Sequence, residues 1–273
     1  GDYSKYQPDL YNNTGKDSFA ISQIGGSVNG YIYDQYTYSS HAQQAKQRGW
    51  RFHTYIWDQT GANQYQTQQM LNYFLTKIQA PYGSIVALDY EDGASGDVEA
   101  NTDNILLGMR MIKQAGFTPM LYSYKPYLLA HVDVNRVLQE FPNSLWVAGY
   151  QTGLGIMPNY GAFPSMNGVA LWQYSDYGGQ QDMNVDLTGI TNNGYTQNKP
   201  AVPKPAQPVK QPNPKQKAEV ITQNSVWRDN MGDTWHSEKG TFVANTWLHL
   251  RWGAKPRSSS IAHIGPGSVI KYD

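Results

Sequence analysis

The stretch SIVALDYEDGASG, residues 84–96, decides how this chain is read. It begins as a buried strand, then runs straight into Asp89, Tyr90, Glu91 and Asp92. Successive side chains of a strand point to opposite faces, so Ile85, Ala87, Asp89 and Glu91 share one face and Val86, Leu88 and Tyr90 the other. Two carboxylates thus emerge side by side at the C-terminal end of an apolar strand. Acids also end strands simply to meet water, so the pair gains meaning only from its neighbours.

Outward from this strand, residues 18–24 (SFAISQI), 51–57 (RFHTYIW), 117–123 (FTPMLYS), 144–150 (SLWVAGY) and 168–174 (GVALWQY) read as further strands. Helical stretches fall at 39–48, 63–79 and 98–115, where Ile105, Met109 and Ile112 keep helical spacing. Repeated β-then-α units predict an α/β fold, a TIM-like (β/α) barrel of parallel strands, whose chemistry sits at the C-terminal strand ends. Those ends carry Asp2 in GDYSKYQ, His53, Tyr55 and Trp57, Tyr122 and Tyr124, Trp146 and Tyr150, and then Trp172, Gln173, Tyr174, Asp176, Asp182 and Asp186. Carboxylates and aromatics recurring at one rim describe a sugar-cleaving groove better than a core.

Composition narrows the classes. Among 273 residues there is no cysteine, which excludes disulfides, thiol nucleophiles and cysteine-bound metals. The six histidines include no pair at the spacing of a helical zinc site, and neither metal nor cofactor is expected. No apolar run is long enough to cross a bilayer, and the opening GDYSKYQPDL has no signal-peptide pattern, so no membrane partner is expected. Residues 1–198 carry 10 basic and 16 acidic side chains, a poor match for nucleic acid. Aromatic content is high, with 21 Tyr, 8 Trp and 7 Phe.

The chain divides at residues 199–217, KPAVPKPAQPVKQPNPKQK, where six prolines and five lysines occur without an acid. Such a run cannot form a core and predicts an extended linker. Residues 1–198 form the expected catalytic domain. Residues 218–273 show short alternating runs broken by turns and predict a small all-β module, whose ending within a strand reads as a truncated or incomplete domain.

Four segments in order resemble glycoside hydrolase family 25, the N-acetylmuramidases of Chalaropsis type found as phage endolysins and bacterial autolysins. They are GDYSKYQ, ALDYED, SLWVAGY and LWQYSD followed by NVDLT. The resemblance implies Glu91 as proton donor, with Asp89, Asp2 and Asp186 as the accompanying acids. Between Asp182 and Asp186 the latter is preferred because VDL matches the family motif directly, while Asp92 and Asp176 are assigned to loops. Tyr55, Trp57, Tyr122, Tyr124, Trp146, Tyr150, Trp172 and Gln173 are the expected substrate contacts. Tyr3 replaces a usual valine, and the DYGGQQDMN spacing departs from the family pattern.

The tail resembles bacterial SH3-like (SH3b) wall-binding modules, with Trp227, Trp235, Trp247 and Trp252 as candidate contacts. Taken together, these readings predict a monomeric hydrolase of peptidoglycan acting at the bacterial cell wall, secreted or released during phage lysis. It would cut the β-1,4 bond between N-acetylmuramic acid and N-acetylglucosamine. A non-catalytic wall-binding protein and an N-acetylglucosaminidase are the alternatives.

Overall fold

The computed structural model describes residues 1–153, 155–177 and 180–195, together with six strands between residues 225 and 272. The chain separates into two compact units, Gly1–Ala206 and Gln207–Asp273.

The first unit is a mixed α/β near-barrel. Its strands are β1 (Asp2–Tyr3), β2 (Phe19–Val28), β3 (Tyr31–Asp34), β4 (Arg51–Asp58), β5 (Ile85–Asp89), β6 (Thr118–Tyr124), β7 (Leu145–Ala148), β8 (Val169–Ser175) and β9 (Met183–Asp186). They pair in the order β1-β2-β4-β5-β6-β7-β8-β9, with β3 joined to β2. Strands β1 to β8 along this path run parallel, but β9 returns antiparallel to β8. The two ends of the sheet meet where Asp2 pairs with Asp182, its amide donating to the Asp182 carbonyl at 3.1 Å. Relative to the expected parallel barrel, β9 is the departure, since its chain direction is reversed. No antiparallel strand was predicted there, nor was the β2–β3 hairpin.

Alternation on β5 sorts the core into two clusters. Ile85 and Ala87 turn inward with Phe19, Ile21, Tyr55, Met120, Tyr122, Trp146 and Leu171. Val86, Leu88 and Tyr90 turn outward into the larger cluster under the helices. Those helices are α1 (Tyr38–Arg48), α2 (Gln64–Phe74), α3 (Val98–Gln114), α4 (Lys125–His131) and α5 (Val134–Glu140). Asn63 and Asp97 cap α2 and α3 with side chains that accept from Gln66 N and Ala100 N, which satisfies otherwise orphaned amides. Gly108 lets α3 press onto β5: a Cβ there would stand 2.8 Å from Leu88 Cδ1. No helix among the described residues is long and apolar enough to cross a membrane.

His53 closes the lower end of the barrel rather than joining its rim. It is fully buried, accepts from the Ile85 amide at Nδ1 (3.0 Å) and meets the Thr191 carbonyl at Nε2 (3.1 Å). A carbonyl only accepts, so Nε2 carries the proton and the ring is neutral. Burial pushes its pKa down to about 3.

In the second unit the described residues form three antiparallel strand pairs: β10 (Ser225–Arg228) with β11 (Thr234–Ser237), β12 (Gly240–Val243) with β15 (Val269–Tyr272), and β13 (Leu248–Arg251) with β14 (Ser260–Ile264). Trp227 and Trp235 are backbone partners in the first pair. Trp247 and Trp252 lie outside the described residues.

A folded-state pKa near 3 against an unfolded value near 6.5 means that His53 supports the fold fully above pH 6.5 and that this support fades as pH falls toward 3. His53→Gln removes the titration. Its stability relative to the parent should improve on acidification, by at most about 1.4 kcal/mol per pH unit. Urea unfolding of both proteins at pH 7.0 and 4.5 measures the difference.

Candidate active site

The upper ends of the strands surround a cleft of roughly 670 Å³. Its acids are Asp2 from β1, Asp89 and Glu91 from the end of β5, and Asp182 from the segment leading into β9. Aromatic walls come from Tyr55, Trp57, Tyr122 and Trp146, and Gln173 joins them from β8. The β2–β3 hairpin adds a further wall through Gln23, Val28 and Tyr33. Gln23 is fixed there because its amide donates to the Tyr33 hydroxyl (2.9 Å) and its carbonyl accepts from Gln35 (2.7 Å).

A relay of polar side chains locks Asp2. The hydroxyls of Tyr122 and Tyr150 both donate to Gln173 Oε1 at 3.0 Å. The Gln173 amide donates in turn to both Asp2 oxygens, at 3.3 and 3.1 Å. From the other side Asn184 donates to Asp2 Oδ2 at 2.5 Å and accepts from Trp146 Nε1 at 2.7 Å. Asp2 thereby has a single geometry. Burial raises its proton affinity, and the bonds from Asn184 and Gln173 pull it back.

The other three acids are less compensated. Asp89 is 5% exposed, and its Oδ1 has no hydrogen-bond partner in the protein. Burial, then the charges of Glu91 and Asp2, push its pKa well above the carboxylate range. Glu91 is only partly buried, and its pKa is raised by burial and by Asp2 and Asp92. Asp182 is pushed up to about 8 by burial, with Asp2, Asp176 and Glu91 adding to it. Like charges packed in a half-dry cleft cannot all ionise, so the cluster shares protons at neutral pH. It can supply both a proton and a negative field.

The structure gathers Glu91, Asp89, Asp2, Tyr55, Trp57, Tyr122, Trp146 and Gln173 at the cleft, with Tyr150 bonded to Gln173 beside it. Tyr124 is not among the lining residues; its ring packs on Tyr127 at 5.5 Å. Asp186 does not belong to the site. Its carboxylate accepts from Thr188 N, Gly189 N, Ile190 N, Thr191 N and the Thr191 hydroxyl, at 2.6 to 3.1 Å, and so builds the turn after β9. Because β9 is antiparallel, its N-terminal side reaches the rim and its C-terminal side the base, which reverses the expected choice in favour of Asp182. Trp172 is also misassigned. It is fully buried on the outer face of β8, where its ring nitrogen donates to Gly149 O and its ring packs on Phe163, Tyr160 and Tyr174.

Asn184 escaped sequence reading altogether. The alternation of Asp182, Asn184 and Asp186 along DMNVD was its only signal.

An acid-rimmed cleft at the top of a mixed α/β near-barrel is the arrangement of a glycosidase fold. Residues 2–183 match the family model for glycosyl hydrolases family 25, and the chain belongs to that family. It is 37% identical over 174 residues to the lysozyme of Streptococcus phage Cp-7, an alignment covering 61% of this chain and 49% of that protein. It is 44% identical over 115 residues to the lysozyme of Streptococcus phage Cp-1, covering 42% and 33% respectively. Among solved structures it is similar to the modular Cpl-1 endolysin complexed with a peptidoglycan analogue, with a TM-score of 0.60, 26% identity, and 91% of this chain and 64% of that chain covered. The chain spans about half the length, or less, of these curated relatives.

The two disputed aspartates have opposite expected effects on stability. Asp182 binds a proton more tightly folded than unfolded, so its ionisation costs stability as pH rises from about 4 to about 8. Asp182→Asn should raise the melting temperature at pH 8 and lose that advantage below pH 4. Asp186→Ala should lower stability by about 3 kcal/mol, through lost charge-assisted hydrogen bonds. Melting curves at pH 4, 6 and 8 test both.

Proposed function

We propose that this chain is a peptidoglycan hydrolase, a β-1,4-N-acetylmuramidase in which Glu91 is the proton donor. The observation that carries the reading is the cluster of four carboxylates with raised proton affinity in one aromatic-walled cleft. Breaking a glycosidic bond needs a protonated acid at the leaving oxygen and negative charge facing the oxocarbenium ion. Glu91 suits the first task, being the acid with the longest reach and partly open to the cleft. Asp2, held in one position by Gln173 and Asn184, suits the second, together with Asp89 and Asp182. In the protonation step the Glu91 proton passes to the bridging oxygen as the C1–O bond breaks, and Glu91 is left as a carboxylate ready to accept a proton from water. Tyr55, Trp57, Tyr122 and Trp146 would wall the sugar subsites.

The names of the relatives support peptidoglycan as substrate: two are called lysozymes and one solved endolysin carries a peptidoglycan analogue. We extend the reading to a TIM-like (β/α) barrel of the family 25 type for residues 1–198, a linker over 199–217 and an SH3-like wall-binding module over 218–273. The proline-lysine composition and the all-β strand pairs favour that division. Such a protein would work as a monomer at the bacterial wall.

Glu91→Gln keeps the side chain's shape but removes the transferable proton. Turbidity loss of purified walls should slow by about 10²- to 10⁴-fold with folding intact. Digestion by the parent protein, followed by borohydride reduction and mass spectrometry, should yield muramitol. Glucosaminitol instead would make the enzyme a glucosaminidase.

A further inference from the structure

The cleft has two ends of opposite character. Its floor holds the four acids, whereas its outer end, formed by the loop after β1 and the turn between β3 and α1, carries Lys5, Tyr6 and Tyr36. Lys5 is the single Lys or Arg among the described residues lining the cleft. Tyr6 and Tyr36 are each 77% exposed, so neither ring serves the core. The Lys5 ammonium lies 5.1 Å from the centre of the Tyr6 ring, close enough for a cation–π contact.

This outer shelf is held in place. The Tyr36 hydroxyl donates to Lys5 O at 3.3 Å and the Thr37 hydroxyl to Ser4 O at 3.2 Å. Ser4 N donates to Gln7 Oε1 at 3.1 Å, and the buried His41 of α1 reaches Gln7 O through Nε2 at 2.7 Å. Two exposed aromatic rings on two segments anchored to each other present flat apolar faces of the kind that stack on sugar rings. The lysine beside them adds a charge that neutral sugars do not require.

We infer that Lys5, Tyr6 and Tyr36 form a specificity subsite for a sugar ring whose substituent bears a free carboxylate, with Lys5 taking that carboxylate. In peptidoglycan, the stem peptide supplies such a group; this identification rests on the muramidase reading above. The floor acids repel an anion while Lys5 attracts one, so the cleft's own field orients the ligand with its charged substituent outward. Lys5 acts on orientation and affinity, separately from the proton transfer at Glu91.

The test uses the full chain carrying Glu91→Gln, so that the ligand is not consumed, and measures binding by calorimetry. One probe is a soluble glycan-peptide oligomer from sonicated walls. The other is the same oligomer with its carboxylates converted to methylamides. The free-carboxylate form should bind about five-fold more tightly at low salt, and the preference should vanish near 0.5 M salt. Lys5→Ala should abolish the preference, Lys5→Glu should invert it and Lys5→Arg should keep it. Tyr36→Ala should weaken both probes alike. Equal binding of the two probes by the parent, an unchanged preference in Lys5→Ala, or binding of neither probe would overturn the subsite. The muramidase reading is judged separately by the muramitol assay, so a failure of one is distinguishable from a failure of the other.

Discussion

The pairing of Asp2 with Asp182 is the contact on which the site depends. One backbone hydrogen bond of 3.1 Å joins the first strand to the segment entering the last and so draws the two edges of the sheet together. It is also the reason that two carboxylates from opposite ends of the unit face one cleft. Closure of the fold and assembly of the acids are thus the same event. Side chains reinforce the seam: Gln173 from β8 and Asn184 from β9 both donate to Asp2.

The seam has an electrostatic cost, because burial raises the proton affinity of every acid gathered there. The fold tolerates this through sharing of protons and through neutral donors aimed at Asp2. Tyr122 assists twice, filling the inner core against Trp146 at 4.5 Å between ring centres while donating to Gln173. Strain of this kind is expected where chemistry is done, since a stable fold elsewhere must offset it.

Much of this was legible in the sequence wherever the signal is local. The alternation that pairs Asp89 with Glu91 follows from strand geometry alone, and so does the outward turn of Leu88 and Tyr90 into the helix layer. The wrong choice of Asp186 shows where local reading stops. Asp182, Asn184 and Asp186 alternate along one segment that runs into β9, so alternation cannot rank them; only the direction of the strand tells which end meets the rim, and direction is set by pairing with β8. Trp172 failed for a related reason. An aromatic near a strand end fits the rim or the outer core equally well, and the neighbouring Gln173 took the inward position. The Gln23–Tyr33 wall was out of reach because polar residues in a hairpin carry no periodic hydrophobic signal.

Gly108 gives the acids of β5 a dependence that no inventory of chemical groups would find. It lies on α3, bears no side chain and touches nothing in the cleft, yet α3 rests on Leu88 only because that side chain is missing. Leu88 immediately precedes Asp89. A methyl group added at Gly108 would force either the Leu88 side chain or the helix to give way directly beneath the carboxylates. In a saturation mutagenesis map this glycine should stand out as intolerant alongside the acids themselves, a remote position whose only contribution to the cleft is empty space.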